Sequence, residues 1–311
     1  MQMKREEEKT KRLQKALEKY PAEVRLNEPI APYTSIKIGG PADVMVFPRS
    51  ISDIIDLMER LSEYGLPYFI LGGGSNLLVK DGGIAGVVVH LKQLNEIRIR
   101  AGGEVTAQAG VSYPRLSLSA AEKGLSGLEF AVGIPGTVGG AVVMNAGIPG
   151  EETAAVLKEM TLVNEAGRVL RFPKEEVPFG YRSAAIPKGV VVAAAFSLSP
   201  GPIDRIEEKM KGLLQRRRET QPLSFPNVGS VFKNPKGGSA GKLIDEAGLK
   251  GVRAGDAQIS EKHGNFIINH GSATAKEVLV LIEKIRQKVE AQHGVALELE
   301  VKVVGREKER L

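Results

Sequence analysis

Two hydrophobic periods alternate along this chain, and together they predict a mixture of helices and short strands. Apolar residues three and four apart at Ile54, Ile55, Leu57, Met58 and Leu61 predict a helix to about residue 64. Ser52 and Asp53 stand at its start as capping residues, and Gly65 stops it. The same spacing predicts helices over 112–123, with Pro114 in the first turn, and over 203–218, 240–247 and 275–293. Residues 1–19 form a charged helix-former without an apolar stretch. Strand-like runs fall at 43–47, 68–71, 86–91, 97–100, 104–109 and 190–198, with a hairpin of 160–164 and 168–172 around Gly167. Further short strands are expected around Gln258 and at 266–269, and an alternating strand at 297–304.

The character changes at Ser199-Pro-Gly-Pro202, after which comes the basic amphipathic helix 203–218. Residues 221–236 are rich in Pro, Asn, Ser and Gly and read as a functional loop. No internal repeat is visible. The pattern is α+β, with a glycine-rich N-terminal half and a separate C-terminal part.

Composition narrows the classes. With 311 residues, the chain is long enough for two or three sub-domains. A net charge of +6 is small over that length, and no basic stripe is interleaved with aromatics, so an enzyme of phosphate-bearing ligands is expected rather than a nucleic-acid binder. Zero cysteines exclude disulfides, thiolate catalysis and iron–sulfur or cysteine–zinc sites. No signal peptide is recognisable. The uncharged stretch 131–150 holds Gly133, Pro135, Gly136, Gly139, Gly140, Gly147, Pro149 and Gly150, too many breakers for a membrane span. A cytoplasmic protein is expected, without membrane association or an obligatory protein partner.

Two nucleotide motifs fail on inspection. Gly237-Gly-Ser-Ala-Gly-Lys242 resembles a phosphate-binding loop, but Lys236 stands where the first glycine belongs, and Leu243 follows where a hydroxyl is needed for magnesium. No Gly-x-Gly-x-x-Gly opens a helix, which argues against a Rossmann fold. His90, His263, His270 and His293 are too dispersed for a metal cage, and no metal is expected.

Two glycine clusters remain. Gly72, Gly73 and Gly74 follow a strand and precede Ser75, Asn76 and Leu77. Such glycines let the backbone approach a ligand and present successive N–H groups to a pyrophosphate. The second cluster runs through Gly133, Ile134, Pro135, Gly136, Thr137, Gly139 and Gly140, then Asn145 and Ala146. Two such clusters flanking a run of strands suit one extended dinucleotide. Three smaller constellations join them: Gly229-Ser230-Val-Phe-Lys233-Asn234-Pro235, Phe179-Gly-Tyr181-Arg182-Ser183, and Glu298 with Glu300 on one face of the last strand. For each, turn chemistry or a solvated surface role is the plain alternative.

Taken in order, with Thr34-Ser-Ile-Lys-Ile-Gly-Gly-Pro-Ala-Asp43, these motifs resemble the UDP-N-acetylenolpyruvoylglucosamine reductases, the MurB family, from about Asn27 to Gly305. Tyr33 stands where many members carry His. Tyr181 to Pro187 runs without a long insertion, as in the shorter form of the family, which lacks the tyrosine loop that closes over substrate.

The resemblance implies an α+β architecture: a two-subdomain FAD-binding fold of the vanillyl-alcohol-oxidase (PCMH) type plus a C-terminal α+β substrate-binding domain. On that reading residues 1–22 are an N-terminal helix and 23–202 the FAD-binding domain, in sub-domains of about 23–90 and 91–202. Residues 203–297 are the linking helix and substrate-binding domain, and 298–311 return to the FAD domain. The implied enzyme is an FAD-dependent UDP-N-acetylmuramate dehydrogenase of cell-wall biogenesis, linked to cell shape, cell cycle and cell division. NADPH reduces the flavin, and hydride then passes to C3 of UDP-N-acetylglucosamine enolpyruvate while C2 takes a proton. Hydride arriving at C3 leaves an enolate, so positive charge must face the substrate carboxylate. Arg182 matches the family's residue for this, Glu300 its partner near the enolate, and Ser230 the proton donor. Tyr181, Arg218 (or a neighbour among Arg216 and Arg217), Lys233, Asn234 and Gln258 are the expected substrate-binding residues. Without cysteine, and with no histidine in either glycine cluster, the FAD is expected to be non-covalent. A sugar or alcohol oxidase on the same scaffold is the alternative; it has no use for the Gly-Ser-Val-Phe-Lys-Asn-Pro segment.

Overall fold

The structure is a computed structural model and describes residues 11–100 and 102–308. Of the expected N-terminal helix, residues 11–17 are helical; residues 1–10 lie outside the described residues. The chain divides into two compact units, the first comprising residues 1–27, 43–73 and 85–213, the second 28–42, 74–84 and 214–311.

The first unit holds two sheets. A four-stranded sheet is ordered Glu23–Pro29, Pro41–Phe47, Ile84–His90, Tyr68–Leu71, with the last two strands parallel. A five-stranded antiparallel sheet is ordered Val169–Pro173, Leu157–Asn164, Gly189–Ser197, Glu104–Gln108, Ile97–Ile99. The helix Ile51–Glu63 is capped by Ser50, whose side chain accepts from the Asp53 N–H. It buries Ile54, Leu57, Met58 and Leu61 in a cluster with Val44, Val46, Val87 and Val89 of the first sheet and Val163, Val190 and Val192 of the second. Val191, Ala194 and Phe196, on the opposite face of Gly189–Ser197, pack with the helix Tyr113–Ala121, Phe130 and Val142. Both faces of that strand are therefore buried, which is why its sequence is an unbroken apolar run.

In the second unit an antiparallel sheet orders Arg253–Ala254, Ala257–Ile259 and Ile267–Asn269. Its core gathers Ile36, Ile38, Leu78, Val231, Phe232, Ile259, Ile267, Leu281, Ile285, Leu297 and Val301, with the helices Ala240–Glu246 and Ala275–His293 packed on it. The strand Lys302–Val304 pairs in parallel with Leu77–Val79. The expected strand 297–304 is thus shorter than its alternation suggested. Leu299 makes a single bridge to Phe232, and only 302–304 joins a ladder. The partner changes from one chain segment to another midway, so no single strand can run through. The helix Ile203–Thr220 carries the chain across the boundary at 213/214 and buries only Ile206 and Met210. Residues 28–42 and 74–84 group with the C-terminal part in the second unit.

Candidate functional site

In the first unit the two glycine clusters meet main chain to main chain. A Cβ on Gly73 would lie 2.7 Å from the Gly136 Cα, and one on Gly72 would lie 2.6 Å from the Thr137 Oγ1. No side chain fits there, and Gly73, Pro135 and Gly140 are left exposed around the contact. Thr137 caps the helix Val138–Val143 through the Gly140 N–H, an element not anticipated from its glycine-rich sequence. Gly139 is buried, its N–H bonded to the Ala109 carbonyl at 2.9 Å, so it packs instead of presenting a donor. Gly133, Ile134 and Ala146 are half-buried. Glycines packed this closely, with Gly73 and Gly140 exposed beside the contact, leave a surface of bare main chain that suits a flat, diphosphate-bearing cofactor such as FAD.

Arg182 lies in the same unit, at the tip of a two-stranded hairpin of Phe179–Gly180 and Ser183–Ala184. No long loop intervenes there. Its φ is +55°, its Nη2 donates to the Gly147 carbonyl at 2.7 Å, and its guanidinium stands over the exposed Tyr181 ring at 5.0 Å. Asn145 is fully buried, and its side-chain amide bonds to Gly180 and Ala154. Both ends of this amide are thus engaged within the protein.

The remaining candidates lie in the second unit. Gly74 packs on the turn at residues 33–34, its carbonyl accepting from the Ser35 N–H at 3.1 Å. Ser75 and Asn76 follow, and Leu77 is buried in the paired strand. The Asn76 Nδ2 donates to the Glu300 carbonyl at 3.0 Å, and the Lys302 N–H to the Asn76 carbonyl at 3.1 Å. The Glu300 N–H donates to the Val231 carbonyl at 2.9 Å, and the Lys233 N–H to the Glu298 carbonyl at 2.8 Å. Ser230 and Glu300, some seventy positions apart in sequence, thus sit on neighbouring segments, with Asn76 alongside.

Sequence reasoning missed what holds Ser230. Asn265 is 3% exposed and grips the next residues three times. Its carbonyl accepts from the Val231 N–H, its Oδ1 from the Phe232 N–H at 2.9 Å, and its Nδ2 donates to the Phe232 carbonyl at 2.8 Å. An amide ahead of the apolar Phe266-Ile-Ile268 was the available signal, since a buried polar side chain must find partners.

The expected substrate-binding residues are placed unevenly. The Lys233 ammonium pairs with the Glu298 carboxylate. The Asn234 Oδ1 accepts from the Ala240 N–H at 3.1 Å, closing the turn before Ala240–Glu246. Gln258 is bonded to the Gly251 carbonyl and to His270. Arg218 is exposed; Arg217, by contrast, is partly buried, and loss of hydration lowers its pKa from the usual value. The phosphate-loop look-alike is a helix start: the Ser239 side chain accepts from the Lys242 N–H. His90 packs edge-on against Phe47 in the core, where burial and then Lys92 lower its pKa to about 4. Among the described residues no group of His, Asp or Glu could hold a metal, and no helix is long and apolar enough to cross a membrane.

The FAD binding domain model matches residues 42–173, and the UDP-N-acetylenolpyruvoylglucosamine reductase C-terminal domain model matches residues 221–304. The chain is 44% identical over 301 residues to the UDP-N-acetylenolpyruvoylglucosamine reductase of Clostridium novyi (strain NT), covering 96% of this chain and 97% of that one. It is 47% identical over 281 residues to the reductase of Carboxydothermus hydrogenoformans, covering 90% and 93% respectively. The crystal structure of MurB from Thermus caldophilus matches with a TM-score of 0.79 at 38% identity, over 91% of this chain and 98% of that one. The chain therefore belongs to the UDP-N-acetylenolpyruvoylglucosamine reductase family.

Proposed function

We propose that this chain reduces UDP-N-acetylglucosamine enolpyruvate to UDP-N-acetylmuramate, with NADPH as electron source, in peptidoglycan precursor synthesis. It is an FAD-dependent oxidoreductase. FAD, bound without a covalent link, would supply the hydride for C3 of the enolpyruvyl group. Every other demand falls on side chains.

Charge left on C2 and the carboxylate calls for a fixed cation, and Arg182, braced by the Gly147 carbonyl, meets that carboxylate. The Ser230 hydroxyl gives the proton to C2; a serine does this only against a strongly basic carbon in a dry site. Glu300, on the segment beside Ser230, acts near the enolate. The observation that carries the reading is the Glu300–Val231 hydrogen bond, which brings two of the three proposed catalytic residues together across the sequence. Tyr181, Arg218, Lys233, Asn234 and Gln258 bind the UDP-sugar. Its nucleotide-sugar substrate and NADPH make the cytoplasm the place of action.

Anaerobic stopped-flow separates the steps. Ser230→Ala should leave flavin reduction by NADPH intact and slow reoxidation by substrate about 10²–10⁴-fold. Equal slowing of both steps, or of neither, would remove Ser230 from the mechanism.

A further inference from the structure

The segment Asn145-Ala146-Gly147 holds the Arg182 hairpin at two points. At the first, the Asn145 Nδ2 donates to the Gly180 carbonyl at 3.1 Å, on the strand leading into the tip. At the second, the Gly147 carbonyl accepts from the Arg182 Nη2 at 2.7 Å. One point fixes the backbone that carries the side chain, and the other fixes the guanidinium.

The segment is itself anchored from behind. The Asn145 Oδ1 accepts from the Ala154 N–H at 3.0 Å, and the Ala146 carbonyl accepts from both the N–H and the hydroxyl of Thr153. Thr153 is bonded in turn to the buried Tyr113 hydroxyl at 3.0 Å. Asn145 is 0% exposed. Its φ is +43°, and that of Arg182 is +55°. Left-handed non-glycine residues persist only where the surroundings over-determine them, and such conformations gather where geometry serves a site. The amide of Asn145 has a donating NH2 end and an accepting carbonyl end, and the structure uses both ends.

We propose that Asn145 is a positioning residue for Arg182, holding the hairpin so that the guanidinium meets the substrate carboxylate. This rests on the role given to Arg182 above. Asn145 touches no reacting atom. It acts through the Gly180 carbonyl, and its loss lets the tip shift relative to Gly147.

The holoenzyme variants Asn145→Gly and Asn145→Asp test this. Glycine keeps the left-handed backbone and deletes both hydrogen bonds; aspartate keeps the acceptor for Ala154 and loses the donor to Gly180. Both should slow flavin reoxidation by substrate about 10–100-fold, the scale of an ångström misplacement. Flavin content and reduction by NADPH should stay within about two-fold of the parent. Hydrogen exchange of the peptide spanning 179–186 should rise. In an Arg182→Ala background Asn145→Gly should add almost nothing, because the group it positions is gone. Equal losses with and without Arg182, loss of flavin, or equal slowing of both steps would overturn the proposal. So would a misfolded Asn145→Gly beside a folded Asn145→Asp of full activity. If Arg182→Ala itself is fully active, the role given to Arg182 fails first, and the two failures are told apart.

Discussion

A Cβ on Gly74 would lie 2.2 Å from the Tyr33 carbonyl oxygen, in a residue whose φ is +58°. A side chain at Gly74 or Gly73 therefore disturbs packing before it disturbs any ligand, and Gly74→Val should lower stability and flavin content together. Gly140 separates the two effects. It is exposed on a helix, and a Cβ there meets nothing nearer than the Thr137 Oγ1 at 3.6 Å. Gly140→Ala should leave the Tm unchanged or raise it, since alanine is favoured in a helix by about 1 kcal/mol. Flavin retained after dilution should nevertheless fall, because the added methyl stands on the exposed surface proposed to receive FAD. Full retention would place the cofactor elsewhere. Asn265 shows the same division between packing and chemistry: its side chain spends its hydrogen bonds on Phe232, so that the neighbouring Ser230 is held without being touched by it.

Among elements, the helix Ala275–His293 was the most legible, and its bounds match those expected. Thr274 and Glu277 form a capping box, and Gly294 ends the helix with φ +66°. What the local sequence does not reveal is a second cap: the Asp81 carboxylate accepts from the Ala275 and Lys276 N–H groups at 2.9 and 3.1 Å. Asp81→Ala should cost about 1 kcal/mol, as lost caps do, measured by urea unfolding. An unchanged midpoint would show that Thr274 alone suffices. The short helix Val138–Val143 is the opposite case. Its Val-Gly-Gly-Ala-Val-Val sequence has little helix propensity, and its first N–H groups bond instead to the Val111 and Ala109 carbonyls. Tertiary contacts make that helix.

Across the whole molecule, the chain passes between the two units five times, after residues 27, 42, 73, 84 and 213. The second unit therefore depends on segments far apart in sequence. Ile36, Ile38 and Leu78 belong to its core, and Leu77–Val79 is the partner of Lys302–Val304. A fragment of residues 214–311 alone would leave that core incomplete and that strand unpaired, and it should show no cooperative thermal unfolding by far-UV circular dichroism. A fragment that melts cooperatively would show that the early segments are accessory.

Local signals were enough wherever a residue's neighbours in space are also its neighbours in sequence. Apolar period placed Ile51–Glu63, Tyr68–Leu71 and Ala275–His293, and backbone demands placed glycines at 72–74 and 136. The ordered motifs, from Thr34-Ser35 to Glu298–Val301, carried the family, because several short segments in one fixed order are far more specific together than any one of them. The unit boundaries, the split of 297–304 between two partners, the gripping of Ser230 by Asn265 and of the Arg182 hairpin by Asn145 were settled only in three dimensions. Each depends on a hydrogen bond or a core contact between residues dozens to hundreds of positions apart, and no periodicity within one segment encodes which distant carbonyl a buried amide will meet.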